Sequence, residues 1–216
     1  MTTPISAEIG GAGSSGIWAE MKGPIARICF DRPPVNAFTE GMFADFAAAL
    51  SGLGADLKPI LLTGANGYFS AGFDIKRPDL DGPGPRAAAD DCLAAIRDHP
   101  SPVVAAVEGA AVGLGLLIAA SADILVVSRT ARLRMPEVTL GIVSDVGPLR
   151  RFLPDPWVRR MCLLGEALTA SELQLDGVGA HLCEPGTAEE VARSILESLA
   201  EIETSALRRT KRRLAE

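Results

Sequence analysis

The sequence has little of what many site chemistries require. Its four cysteines, Cys29, Cys92, Cys162 and Cys183, stand far apart with no CxxC pair. That removes the spacing used by metal-thiolate sites and disulfide scaffolds, and reduced thiols in a cytoplasm are expected. Only two histidines occur, His99 and His181, distant from each other and without acidic residues at ligand spacing. Both read as structural or surface residues, and no metal is expected. Ser70 lies outside any GxSxG elbow and no histidine stands in a triad order, so nucleophilic serine catalysis has little support. Basic residues number 21 against 27 acidic ones, a formal net charge of -6, which disfavours nucleic acid as a partner. The longest uncharged stretch of the apolar middle runs only from 109 to 122. It is too short and too rich in Gly and Ala to span a bilayer, so no membrane partner is expected. The opening Met-Thr-Thr-Pro-Ile lacks a basic segment followed by an apolar one; no secretion or transit signal is expected.

What is present is a folded composition. Hydrophobic residues make 48% and charged ones 22% of 216 residues, enough for one core domain with a small appendage. Residues 1–16 are Gly- and Ser-rich, and a flexible N-terminus is expected there. They contain a literal GxGxxG at Gly11, Gly13 and Gly16, but the residues after it read as a strand closed by a turn rather than an opening helix. The match is therefore taken as a loop and not a dinucleotide site. Beyond it the pattern alternates. Strands are expected at 25–30, 59–63, 103–107 and 123–127, and helices at 40–50, 87–98, 113–121, 156–166 and 170–180, with a long helical segment over 187–216. The Pro- and Gly-rich stretch 77–86 reads as a loop. Continuous apolar strands alternating with helices imply an α/β fold with parallel pairing and both sheet faces covered.

Two glycine-containing turns carry the most chemical information. One is Ser70-Ala71-Gly72-Phe73-Asp74, after a loop leaving a strand; the other is Gly113-Leu114-Gly115, at the start of a helix. Both place backbone N–H groups where a ligand can meet them, and small residues let a carbonyl oxygen come close. One donor from each would make an oxyanion hole. Together with Pro102-Val-Val-Ala-Ala-Val-Glu-Gly109, Ala122-Asp-Ile124, Met135-Pro-Glu-Val-Thr-Leu-Gly141 and the early Asp31-Arg-Pro-Pro-Val-Asn-Ala37, these turns give the chain a resemblance to the enoyl-CoA hydratase/isomerase (crotonase) family, in register from about 17 to 214.

The resemblance implies a crotonase-like ββα spiral core over 17–186 and a short, truncated helical region over 187–216. It also implies an acyl-CoA thioester substrate of the kind handled in fatty acid metabolism, no cofactor beyond the CoA of that substrate, a cytoplasmic location, and a homotrimer or hexamer. Carried over to this chain, the backbone N–H groups of Phe73 and Leu114 would hold the thioester oxygen. Ala71, Gly72, Gly113 and Leu117 would then line the pocket. The family's hydratases use two glutamates. One is matched by Glu137, but the other position holds Leu117, which can move no proton. That departure favours double-bond isomerisation by a single glutamate over hydration. The alternatives are hydration with a non-standard second group, or a non-catalytic thioester-binding or scaffold member. The plain reading of Glu137 is a strand-end surface carboxylate.

Asp145, in a Gly-flanked segment, is the second acid-base candidate; its plain reading is a cap for the next helix. Glu108 reads as a cap or solvating group of the turn that follows it, and Asp74 as a brace for the first loop. Arg208, Arg209, Lys211, Arg212 and Arg213 read as a solvated helix face. The family's further C-terminal helices, which close over the pocket, are expected to be missing or supplied by a neighbouring subunit.

Overall fold

The computed structural model describes residues 16–53, 58–76, 83–173 and 179–215. Strands β1 (Ile17–Lys22) and β2 (Ile25–Phe30) pair antiparallel, turned by Gly23 in the left-handed region at φ 63°. Helix α1 (Glu40–Gly52) then leads to β3 (Ile60–Gly64), and α2 (Pro83–Asp98) leads to β4 (Val103–Val107). A three-residue β5 (Ala110–Val112) and α3 (Leu114–Ser121) precede β6 (Ile124–Ser128) and β7 (Arg132–Arg134). Two 3-10 turns (Glu137–Leu140 and Gly147–Arg151) are followed by α4 (Asp155–Leu164), β8 (Ala167–Thr169) and α5 (Ala170–Leu173). The chain ends in β9 (Ala180–Cys183), α6 (Ala188–Ala200) and α7 (Thr204–Ala215).

The large sheet has the order β1-β2-β3-β4-β6-β9 and is parallel from β2 onward; β5, β7 and β8 form a second, smaller sheet. The unbroken apolar strands follow from burial on both faces. In β4, Val103, Ala105 and Val107 face the main core, while Val104 and Ala106 face Ala188, Ala192 and Leu196 of α6. Phe30 at the end of β2 takes edge-on contacts from Phe38, Phe46 and Phe69 at centroid distances of 5.0, 5.5 and 5.2 Å. This cluster forms the floor beneath the loop that follows β3.

Several expectations need correction. The helix read at 87–98 begins at Pro83, because proline is accommodated in a first helical turn; residues 77–82 of the expected loop lie outside the described residues. The helix expected over 170–180 ends its described part at Leu173, residues 174–178 lie outside the described residues, and 180–183 is the edge strand β9. The segment 187–216 is two helices broken at 201–203. Lys211 is not on a solvated face. It is buried, with Nζ 2.7 Å from Asp123 and donating to the carbonyls of Ile96 and Ser101 at 3.3 and 3.0 Å. Burial pulls its pKa below the usual lysine value. Gly11 and Gly13 of the glycine motif lie outside the described residues. No described helix is long and apolar enough to cross a membrane.

Candidate active site

The loop after β3 is held at almost every step. Asn36, buried and in the left-handed region at φ 54°, donates through Nδ2 to the carbonyls of Ala65 and Tyr68 at 2.9 and 2.8 Å. Its Oδ1 accepts from the backbone N–H of Arg32 at 3.0 Å. Arg32 in turn grips Asp74 at 2.7 Å and the Ala37 carbonyl at 2.9 Å, and this hydrogen bond holds the Asp74 carboxyl below the usual aspartate range. Asp74 thus braces the loop. The Phe38 N–H donates to the Gly72 carbonyl at 2.7 Å and the Asp74 N–H donates to the Phe38 carbonyl at 3.0 Å. In such a ladder the intervening Phe73 N–H must point the other way, and it has no acceptor among the described residues.

The second turn meets the first. Gly113 has φ 54° and ψ -124°, a conformation suited to glycine, and donates to the Arg134 carbonyl at 2.8 Å. Leu114 opens α3, so its N–H has no intrahelical acceptor, and none is found among the described residues. A Cβ on Gly72, whose φ is +83°, would lie 2.6 Å from the Val112 carbonyl oxygen and 3.2 Å from the Leu114 nitrogen. Only glycine allows the two backbones to touch there.

Both turns line one cavity of about 280 Å³, together with Ala71, Leu117, Glu137 and Asp145. Glu137 is at the first position of a 3-10 turn closed by Gly141 in the left-handed region, not at a strand end. Its Oε1 rests on Gly113, where an added Cβ would collide with it, and its Oε2 is buried with no hydrogen-bond partner among the described residues. Burial raises its pKa above the usual carboxylate range, and the hydrogen bond from its own backbone opposes this only in part. A base of this kind is stronger than a solvated glutamate.

Leu117, almost wholly buried on the first turn of α3, presents only hydrocarbon to the cavity. Asp145 is exposed on the cavity wall, and its Oδ1 accepts the N–H of Gly147, the first residue of the second 3-10 turn, at 2.8 Å, while the N-cap position of that turn is Val146. The glycine turn at 113–115 does not use the Glu108 side chain, whose Oε1 accepts from the N–H groups of Gly186 and Ala188 at 3.0 Å each, holding the start of α6. His99 is a core residue accepting the Ser101 N–H, with a pKa lowered by burial, and His181 is exposed on β9. Sequence reasoning missed the α2 wall of Arg86, Asp90 and Leu93. Their helical spacing is the available signal; the reading of 77–86 as loop removes Arg86 from it and leaves Asp90 and Leu93 as ordinary positions of the expected helix.

The enoyl-CoA hydratase/isomerase family model matches residues 20–216. A carnitinyl-CoA dehydratase of Salmonella arizonae is 35% identical over 193 residues, covering 82% of this chain and 72% of that protein. Among solved structures, Pseudomonas aeruginosa DspI superposes with a TM-score of 0.83 at 26% identity, over 93% of this chain and 82% of the other. An enoyl-CoA hydratase from Polaromonas sp. JS666 gives 0.81 at 27%, over 91% and 81%. With a family model spanning nearly all of it and a curated relative above 30% identity, the chain belongs to the enoyl-CoA hydratase/isomerase family.

Proposed function

We propose that the cavity binds an acyl-CoA thioester with its carbonyl oxygen between the N–H groups of Phe73 and Leu114, and that Glu137 moves one proton on the acyl chain. Two unpartnered donors stabilise the enolate that forms when the α-proton leaves, each worth about 3 kcal/mol of barrier. Glu137 takes that proton from the α-carbon of a 3-enoyl thioester and returns it to the γ-carbon, giving the conjugated 2-enoyl thioester with no net change in atoms. The chemistry requires no group beyond the thioester itself. The observation that carries the reading is the carboxyl of Glu137 packed on Gly113 through Oε1 with its Oε2 buried and unpartnered, and the hydrocarbon of Leu117 where a second carboxylate would be needed for hydration.

A second reading is dehydration. It is favoured by the name of the Salmonella relative, a carnitinyl-CoA dehydratase. Glu137 would remove the α-proton of a 3-hydroxyacyl thioester and pass it to the departing β-hydroxyl, releasing water; Asp145 and Asp90 are the other acids on the wall.

The test supplies 3-enoyl-CoA and 3-hydroxyacyl-CoA esters separately and follows the ultraviolet absorbance of the conjugated product. Isomerase turnover that is lost in Glu137→Gln, with CoA-ester binding retained, supports the first reading. Turnover of the hydroxy esters alone favours the second. Binding without turnover of either leaves a thioester-binding or scaffold protein. A cytoplasmic trimer or hexamer belongs to the same proposal, and light scattering on the purified chain checks its assembly.

A further inference from the structure

We propose that Ser70 is a positioning residue that sets the gap between the two N–H donors. This rests on the reading of Phe73 and Leu114 given above. Ser70 is fully buried and is attached to three elements at once. Its backbone N–H donates to the Ala110 carbonyl at 3.1 Å and its carbonyl accepts the Val112 N–H at 2.9 Å, joining it to β5, which runs directly into Gly113 and Leu114. Its hydroxyl donates to the Asn36 carbonyl at 2.7 Å and accepts the Gly72 N–H at 3.1 Å, joining it to the loop that ends in Phe73. A Cβ on Gly115 would lie 2.5 Å from the Ser70 carbonyl oxygen and 2.8 Å from its Cβ, so the first turn of α3 rests on Ser70. One residue thereby touches the loop of the first donor, the strand before the second donor and the helix turn that bears it.

The hydroxyl is engaged on both sides, its proton on Asn36 and a lone pair on Gly72. This is the state of a brace and not of a nucleophile. In Ser70→Ala the backbone contacts to β5 persist, while the Asn36 carbonyl and the Gly72 N–H lose their partner inside the core. The Ala71–Gly72 peptide is then no longer anchored at its N–H, and the bonds of the Gly72 carbonyl and the Asp74 N–H to Phe38 are left alone to orient the Phe73 donor. A hole works only while both donors point at one oxygen, and misplacement by an ångström costs about 100-fold in rate.

The readout is the red shift of the absorbance of bound crotonyl-CoA, which reports polarisation of the thioester carbonyl. It is measured in Glu137→Gln, where Glu137 can move no proton, and in Glu137→Gln/Ser70→Ala. Loss of most of the shift with crotonyl-CoA still bound, and kcat lowered by about 10- to 100-fold at little-changed KM in Ser70→Ala alone, is the expected result. An undiminished shift in the double variant overturns the role of Ser70. No shift in Glu137→Gln itself overturns the underlying assignment of the hole. Should Ser70→Ala not fold, Ser70→Cys, which keeps the side-chain shape with a weaker hydrogen-bonding group, is measured instead. An intermediate shift supports the role and a full one opposes it.

Discussion

The two sides of the cavity are built in opposite ways. On the donor side, the carboxyl of Asp74 is paired with Arg32 and held below its usual range, and Asn36 and Ser70 tie the loop at the Ala65 and Tyr68 carbonyls and the Gly72 N–H. On the base side, the carboxyl of Glu137 is buried, unpartnered at Oε2 and held above its usual range, and the segment around it exposes Val138, Leu140 and Val143. Donors work when their geometry is fixed, whereas a base works when its charge is poorly solvated. On the proposed mechanism, stability and reactivity are therefore separated across a few ångströms of backbone contact. The largest effect should come from Glu137→Gln: kcat for 3-enoyl-CoA isomerisation falls by about 10³-fold with KM within a few-fold. A loss in KM alone would assign the carboxyl to binding.

On the donor side the largest effect should be on folding. Asn36→Ala strands the Ala65 and Tyr68 carbonyls and the Arg32 N–H, and puts a side chain with no compensating bonds at φ 54°. A loss of about 3 kcal/mol, roughly 10 °C in Tm, is expected. A fall below 2 °C, by the same scaling, would show that the loop is held by packing alone.

The two carboxylates also make opposite pH predictions. Asp74 has a depressed folded pKa, so its pairing stabilises the fold above the unfolded aspartate pKa, and that stability is lost as pH falls through the folded value. Asp74→Asn therefore lowers Tm at neutral pH by the equivalent of about 0.5–1 kcal/mol, the range for a partly exposed pair, and has no effect in acid. Glu137 has a raised folded pKa. Relative to the unfolded chain, its contribution is fully favourable below the unfolded glutamate pKa and is lost as pH rises through the folded one. Glu137→Gln should therefore raise Tm by about 2 °C at neutral pH, and the gain should vanish in acid. For the same reason the acid limb of kcat/KM should lie above the ordinary glutamate range, activity falling as pH drops and the base takes up its proton. Melting curves across pH for both variants test the contrast directly; gains or losses of the same sign would abolish it.

Much of the donor side could be read from the sequence. Residues 59–63 and 103–107 are apolar on both strand faces, which only a doubly covered sheet explains, and the glycines at 72 and 113 sit where close backbone approach is needed. The brace itself could not be read, because Ser70 and its partner Asn36 are separated by 34 residues and meet only in the fold. Arg132-Leu-Arg134 and Ala167-Leu-Thr169 are too short for a period of two to register, and so is Ala180-His-Leu-Cys183, whose first residue falls at the end of the helix expected over 170–180. For Glu137 the motif gave the residue but not its environment. Whether its carboxyl faces solvent or Gly113 depends on the 3-10 turn and on α4 packed behind it.

The smallest effect should fall on the exposed rim of the base side. Val143 is 76% exposed on the cavity wall and has little packing to lose, so Val143→Ser should change stability by no more than about 0.5 kcal/mol. If the acyl chain lies against that rim, the same variant raises KM for 3-enoyl-CoA by a few-fold, because one buried methylene is worth about 0.8 kcal/mol, while kcat stays as it was. An effect on kcat as large as that of Ser70→Ala would mean that the rim orders the base, and that the base side is as tightly built in the complex as the donor side already is without substrate.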